Sequence, residues 1–96
     1  MAELRESFTV SARHPSLPGH FPGAPIVPGV VLLDHVAGCL QRAGAGDIAR
    51  LLAVKFMAPL LPEQHARMHI EVTARRARFR IVRADVIILA GDAELR

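Results

Sequence analysis

The chain has 96 residues, 51% of them hydrophobic, with 12 Lys or Arg against 9 Asp or Glu and a net charge of +3. That length holds one domain, residues 1–96, and that apolar content excludes a disordered chain. With four Phe and no Tyr or Trp the core has to be aliphatic, and small aliphatic domains often complete their cores by dimerising.

The N-terminus, Met-Ala-Glu-Leu-Arg-Glu-Ser, lacks the apolar run of a secretory signal. Asp34-His35 breaks one apolar stretch, and Arg50, Lys55 and Pro59 break another, so no membrane span is expected. A cytoplasmic location is the expectation. Residues Glu6 to Val10 alternate loosely and form a candidate first strand. Between His14 and Pro28 the chain holds Pro15, Pro18, Pro22, Pro25 and Pro28, with Gly19 and Gly23 among them. That density of fixed φ angles and missing donors leaves a stiff loop, a good platform for chemistry.

Gly29 to about Arg42 reads as helix, stopped by Ala43-Gly44-Ala45-Gly46-Asp47. Its apolar residues lie all round, which predicts burial at the centre of the domain. Cys39, the single cysteine, excludes an internal disulfide, favours a reducing compartment and reads as a buried thiol rather than a nucleophile. Arg50 to Ala58 reads as a strand ended by Pro59, and Pro62-Glu63-Gln64 as a turn. Ala66, Met68, Ile70 and Val72 alternate with Arg67, His69, Glu71 and Thr73, and Ala77, Phe79 and Ile81 with Arg78 and Arg80. Both have the period of a strand with one buried face. Arg83-Ala84-Asp85 reads as a turn before a last strand from Val86 to about Leu95, with a bulge expected at Gly91. One helix and an antiparallel sheet make an α+β domain with the sheet wrapped around the helix.

The charge excess comes partly from Arg75, Arg76, Arg78, Arg80 and Arg83. A solvated strand face explains it. Nucleic-acid binding is disfavoured because no aromatic residues are interleaved for stacking. Docking of an acidic protein stays open.

The chemistry centres on His20, Gly29 and Asp34. Histidine titrates nearest neutral pH, and an aspartate among Val, Leu and Ala is costly to bury without a partner. Gly29 falls at the first turn of the helix, where N–H groups lack helical partners and the dipole is positive. A carbonyl oxygen placed there is polarised as in an oxyanion hole, and a glycine lets substrate approach the backbone closely. These elements suit removal of a proton α to a carbonyl with loss of a β hydroxyl. His20 is the base, and Asp34 the acid where apolar surroundings favour its neutral form.

The run His20-Phe21-Pro22-Gly23-Ala24-Pro25-Ile26-Val27-Pro28-Gly29-Val30, followed by Asp34, resembles the signature of the hotdog-fold β-hydroxyacyl-acyl-carrier-protein dehydratases of the FabA/FabZ type. Lys55-Phe56 with Pro59 is similar to that family's strand after the helix. The resemblance implies that His20 is the catalytic histidine, Asp34 the acid, and Gly29 the helix-terminal amide that binds the thioester carbonyl. It also implies that Phe21, Pro22, Gly23, Pro28 and Val30 contact substrate. In such enzymes the facing histidine and acid come from different protomers, which implies a homodimer or higher even oligomer. The implied substrate is an acyl thioester on the phosphopantetheine arm of an acidic acyl carrier protein, with no further cofactor and no metal. Three departures stand out. Gly38 takes the place, one turn after the acid, of a glutamine that orients it. Glu63 stands where the family often has glycine, and the chain begins almost at its first strand. Short members of this kind resemble dehydratases of aryl polyene pigment pathways.

His35 lies about 100° round the helix from Asp34 and reads as a packed or interface residue. His65 and His69 have metal-ligand spacing only on a helix. They fall on a strand with no carboxylate cluster expected nearby, so zinc is not expected. His14 reads as a surface loop residue, and Phe56 as core or pocket wall. Two alternatives to the dehydratase accompany this reading: a hotdog acyl-thioesterase, and a catalytically silent acyl-binding subunit that pairs with a longer homologue.

Overall fold

A computed structural model describes residues 1–14 and 26–96. The elements run β1 (Ala2–Thr9), α1 (Gly29–Arg42), β2 (Ile48–Phe56), β3 (His65–Thr73), β4 (Arg76–Arg83) and β5 (Val86–Leu95). All the pairings are antiparallel and make one five-stranded sheet of order β1-β3-β4-β5-β2. Ala66, Met68 and Ile70 of β3 and Ala77, Phe79 and Ile81 of β4 point to one face, where Val31, Leu32, Val36, Cys39 and Leu40 of α1 complete the core. The alternating strands and the helix therefore bury each other's apolar sides.

β1 begins at Ala2 rather than at the expected Glu6. Its alternation is masked in the sequence because Glu6 occupies a half-buried, inward position between Leu4 and Phe8. The carboxylate is held there by Arg42 of α1, with Nη2 2.5 Å from Oε1 and Nε 3.4 Å from Oε2.

The helix is not buried all round, as its composition predicts. Val30 is 64% exposed, and Asp34 and Gln41 are exposed as well. A helix lying on one sheet buries only the face that meets it. The C-terminus is closed as expected: Gly44, at φ +71°, donates to Gln41 O at 3.0 Å, and Ala45 donates to Leu40 O at 2.9 Å. This is the Schellman arrangement, which needs a left-handed residue just past the helix.

The bulge expected at Gly91 is not there: Gly91 pairs regularly with Val54 and Phe79. The irregularity on β5 lies where Ile81↔Leu89 gives way to Val82↔Ile87, leaving Ile88 as the extra residue. Ile88 and Leu89 are consequently both buried. A glycine at 91 answers crowding instead, since a Cβ would stand 2.5 Å from Ala53 O and 2.8 Å from Phe79 Cζ. Two further register shifts, between Ile48 and Arg50 and between Leu51 and Ala53, lie on β2. This edge strand carries exposed Leu51, Leu52 and Phe56, with Met57 just beyond.

Glu63, in the turn before β3, adopts φ +69°. Its own amide donates to Val10 O at 2.8 Å and its Oε1 accepts from Ala12 N at 2.8 Å. Those bonds offset the strain of a left-handed non-glycine residue.

Candidate active site

Two hollows lie along α1, and among the described residues they share no lining side chain. The first is at the helix start. Pro28 is the N-cap, with φ −60° and ψ 144°, and offers no side-chain cap. Its carbonyl accepts from Val31 N at 3.0 Å and Leu32 N at 3.4 Å. Among the described residues that leaves the N–H groups of Gly29 and Val30 without helical partners at the positive end. No acidic residue in the first turn competes for them.

Beside that end is an apolar groove of 360 Å³ whose walls include Val27, Gly29, Leu32, Phe56 and Leu60. Such a size falls within the range of small-molecule sites. Val27 N donates to Leu60 O at 2.8 Å, tying the entry to the helix to the segment after β2. Phe56 is a wall residue, as expected, and its ring packs directly over Gly29. Of the other residues expected to contact substrate, Pro28 lies in the same groove. Val30 turns outward on the exposed side of the helix. His20, Phe21, Pro22 and Gly23 lie outside the described residues.

The second hollow, of 260 Å³, is lined by His14, Val31, Asp34, His35 and Arg42. The sequence places Asp34 among apolar neighbours, but in the single chain it is exposed. It lies five residues beyond Gly29, or roughly 140° round the helix. The structure therefore does not bring Gly29 and Asp34 into one hollow of one chain.

His35 is packed, as read from the sequence: its ring stacks on Phe8 with centroids 4.1 Å apart and planes inclined by 13°. Burial, then the Arg42 and His14 charges, holds its pKa below 6.5, with Asp34 and Glu6 opposing. Arg42 is the largest influence on Glu6, keeping its carboxyl below the usual carboxylate range. The Cys39 thiol is buried, and desolvation with the facing Glu6 pushes its pKa up to about 11. The buried group thus stays a thiol at neutral pH, in keeping with a packed cysteine. The Glu6–Arg42 pair escapes a reading of the sequence because its members are 36 residues apart and meet only through tertiary packing.

The expectation of no carboxylate cluster near His69 needs correction. Glu3, brought alongside by β1–β3 pairing, and Glu71 both approach it, with ligand atoms within 4.8 Å of one another. Arginines border the group: Arg5 lies 3.7 Å from Glu3, and Arg78, in register with Glu71, turns its Nε to Asp92 at 3.4 Å. The arrangement reads as an ionic surface lattice on the outer face of the sheet.

The antiparallel sheet packed on a single helix, with a groove at the helix start, is the hotdog fold. A family model described as ApeI dehydratase, ApeI-like, matches residues 2–91, and the chain belongs to that family. The chain is 33% identical over 76 residues to a 3-hydroxyacyl-[acyl-carrier-protein] dehydratase, FabZ, of Allorhizobium ampelinum, covering 70% of this chain and 49% of that protein. It spans about half the length of this and similar curated relatives. A solved structure of the dehydratase heterocomplex ApeI:P from Xenorhabdus doucetiae superposes with a TM-score of 0.87 at 26% identity, covering 97% of this chain and 86% of that one. The fluoroacetyl-CoA thioesterase FlK shares the fold with a TM-score of 0.70 at 16% identity, covering 97% of this chain and 82% of that one.

Proposed function

We propose that this protein converts a (3R)-hydroxyacyl thioester, carried on an acyl carrier protein, to the trans-2-enoyl thioester and water. His20 takes the α proton while the first-turn N–H of Gly29 stabilises the developing enolate oxygen. Asp34 of the partner subunit protonates the departing β hydroxyl. The α C–H and β C–O bonds break and the C=C bond forms, so no electrons leave the substrate. The reading calls for no cofactor beyond the carrier's own arm.

The observation that carries this reading is the start of α1: an uncapped positive end, free of acidic residues in its first turn, opens beside an apolar groove. Its separation from the Asp34 hollow supports a composite site shared by two chains. The exposed Val30, Leu51, Phe56 and Met57 supply apolar surface for a homodimer or higher even oligomer. Exposed Arg76, Arg78 and Arg80 on the outer side of β4 complement an acidic carrier protein. The finer assignment is a cytoplasmic step in fatty-acid or aryl polyene synthesis.

A second reading has one specific support: a structural neighbour is named as part of a dehydratase heterocomplex. On that reading the chain acts only when paired with a second subunit. The thioesterase alternative gains no more than a shared fold.

The test is incubation of the pure protein with a 3-hydroxyacyl thioester, followed by enoyl-thioester absorbance and free-thiol release. Enoyl product from the protein alone supports the homomeric dehydratase. Thiol release without enoyl product would establish a thioesterase. Activity only after addition of a second hotdog subunit establishes the paired form.

A further inference from the structure

The turn of α1 after Asp34 holds Gly38, which has no side chain to reach back to the acid. The place is not vacant. A Cβ at residue 38 would stand 3.0 Å from Nη1 of Arg42, with Cζ at 3.8 Å and Nη2 at 3.9 Å. Arg42 is four residues further on, and long helical side chains lean toward the N-terminus. Its guanidinium is therefore folded back over Gly38, and it lines the same hollow as Asp34.

The guanidinium is also fixed. Nε and Nη2 both bond to the Glu6 carboxylate of β1, which leaves Nη1 out of the pair. The pairing has an electrostatic consequence. A bare cation beside Asp34 would favour the ionised carboxylate and so oppose proton donation. A guanidinium already neutralised by Glu6 presents an N–H donor with little net charge.

We infer that Arg42, folded over Gly38 and clamped by Glu6, is the positioning residue for the Asp34 carboxyl. The inference rests on Asp34 being the acid of the proposed reaction. Replacing Gly38 by a larger residue would displace Arg42, whereas a glutamine there could itself hydrogen-bond an aspartate one turn back.

The experiment compares Arg42→Ala, Arg42→Lys, Glu6→Gln, the double variant Gly38→Gln with Arg42→Ala, and, as a surface control, Arg5→Ala, an exposed arginine of β1. For Arg42→Ala, kcat should fall on the order of 10-fold to 100-fold while KM stays within about twofold. Arg42→Lys should recover part of the loss, and Gly38→Gln should recover more of it. Glu6→Gln should lower kcat although Arg42 remains, because it uncovers the guanidinium charge.

Wild-type kcat in Arg42→Ala overturns the inference. So does a loss that neither Arg42→Lys nor Gly38→Gln relieves and that follows a lowered melting temperature, which assigns Arg42 a structural role only. A readout independent of turnover is the carboxyl ¹³C resonance of Asp34, identified with Asp34→Asn. It should move in Arg42→Ala and stay put in Arg5→Ala, and an unmoved resonance overturns the inference whether or not the protein is a dehydratase. Absence of turnover in the wild-type protein, alone and with a second subunit, counts against the proposed function instead.

Discussion

The ring of Phe56, on the edge strand β2, lies over the Cα of Gly29 so closely that a methyl group at residue 29 would stand 2.7 Å from Cζ and 2.8 Å from Cε1. This contact joins the positive end of α1 to the wall of the apolar groove. It gives the glycine a job that conformational freedom alone would not, because the helical backbone there suits any residue.

Gly29→Ala should therefore push the Phe56 ring out of place without unfolding the chain, since that residue is 53% exposed. The N–H donor remains but the approach to it is obstructed, so kcat/KM should fall on the order of tenfold or more. Steady-state kinetics beside a melting curve would check this. A variant with wild-type kcat/KM would show that substrate does not use the helix start.

His20→Ala and Asp34→Asn should each lower dehydration by about 10²-fold to 10⁴-fold, the range for loss of a general acid or base. Asp34 is exposed in the single chain, so its isosteric replacement should leave the melting temperature of the separated protomer unchanged. Mixing the two inactive variants tests the composite site. Mixed dimers of a two-chain site regain one intact centre, whereas a site within one chain stays dead.

Gly91→Ala should destabilise the sheet by roughly 1–3 kcal/mol, the range for overpacking. The added methyl meets the backbone oxygen of Ala53 and the Phe79 ring, and backbone cannot swing aside. Urea denaturation would measure the loss, and the separation of β2 from β5 should appear first as faster amide exchange in β2. Unchanged stability would mean that the strands relax apart without penalty.

Acidification should destabilise the fold in two windows. The pKa of His35 is depressed from 6.5, mainly by burial, so the unfolded chain binds more protons and stability declines as pH falls below about 6.5. Glu6, held below its ordinary 4.5 chiefly by Arg42, contributes stability that is present above that value and lost as pH drops through the lower folded one. Melting temperature followed from pH 8 to pH 3 should show both declines. Arg42→Ala should flatten the more acidic one. An unchanged acid limb in that variant would remove the ion pair from the account.

The regular elements are largely legible in the sequence. The bounds of α1 and β5 agree with the expected ones, because a Pro-Gly start and a Gly-rich stop delimit the helix and the Arg83-Ala84-Asp85 turn marks where β5 begins. Sequence pattern alone makes β1 too short because Glu6 breaks the alternation, and the reason for its inward position is a partner on the helix. It also puts the β5 bulge at Gly91, because a glycine inside a strand signals either a bulge or close packing and sequence cannot distinguish the two. His35, Cys39 and Phe56 are correctly read as packed or wall residues, since apolar surroundings along the chain suffice for that.

The sequence by itself determined the helix start and the chemical types needed for the proposed reaction, because caps, loop rigidity and residue identity are local properties. Only the tertiary structure decided which groups meet. It turned Asp34 outward and away from the Gly29 groove, folded Arg42 over the bare Gly38, and set Glu6 beneath it as counter-charge. Those relations depend on how a helix lies against a sheet, and contacts between residues distant in sequence follow from that docking rather than from any short pattern.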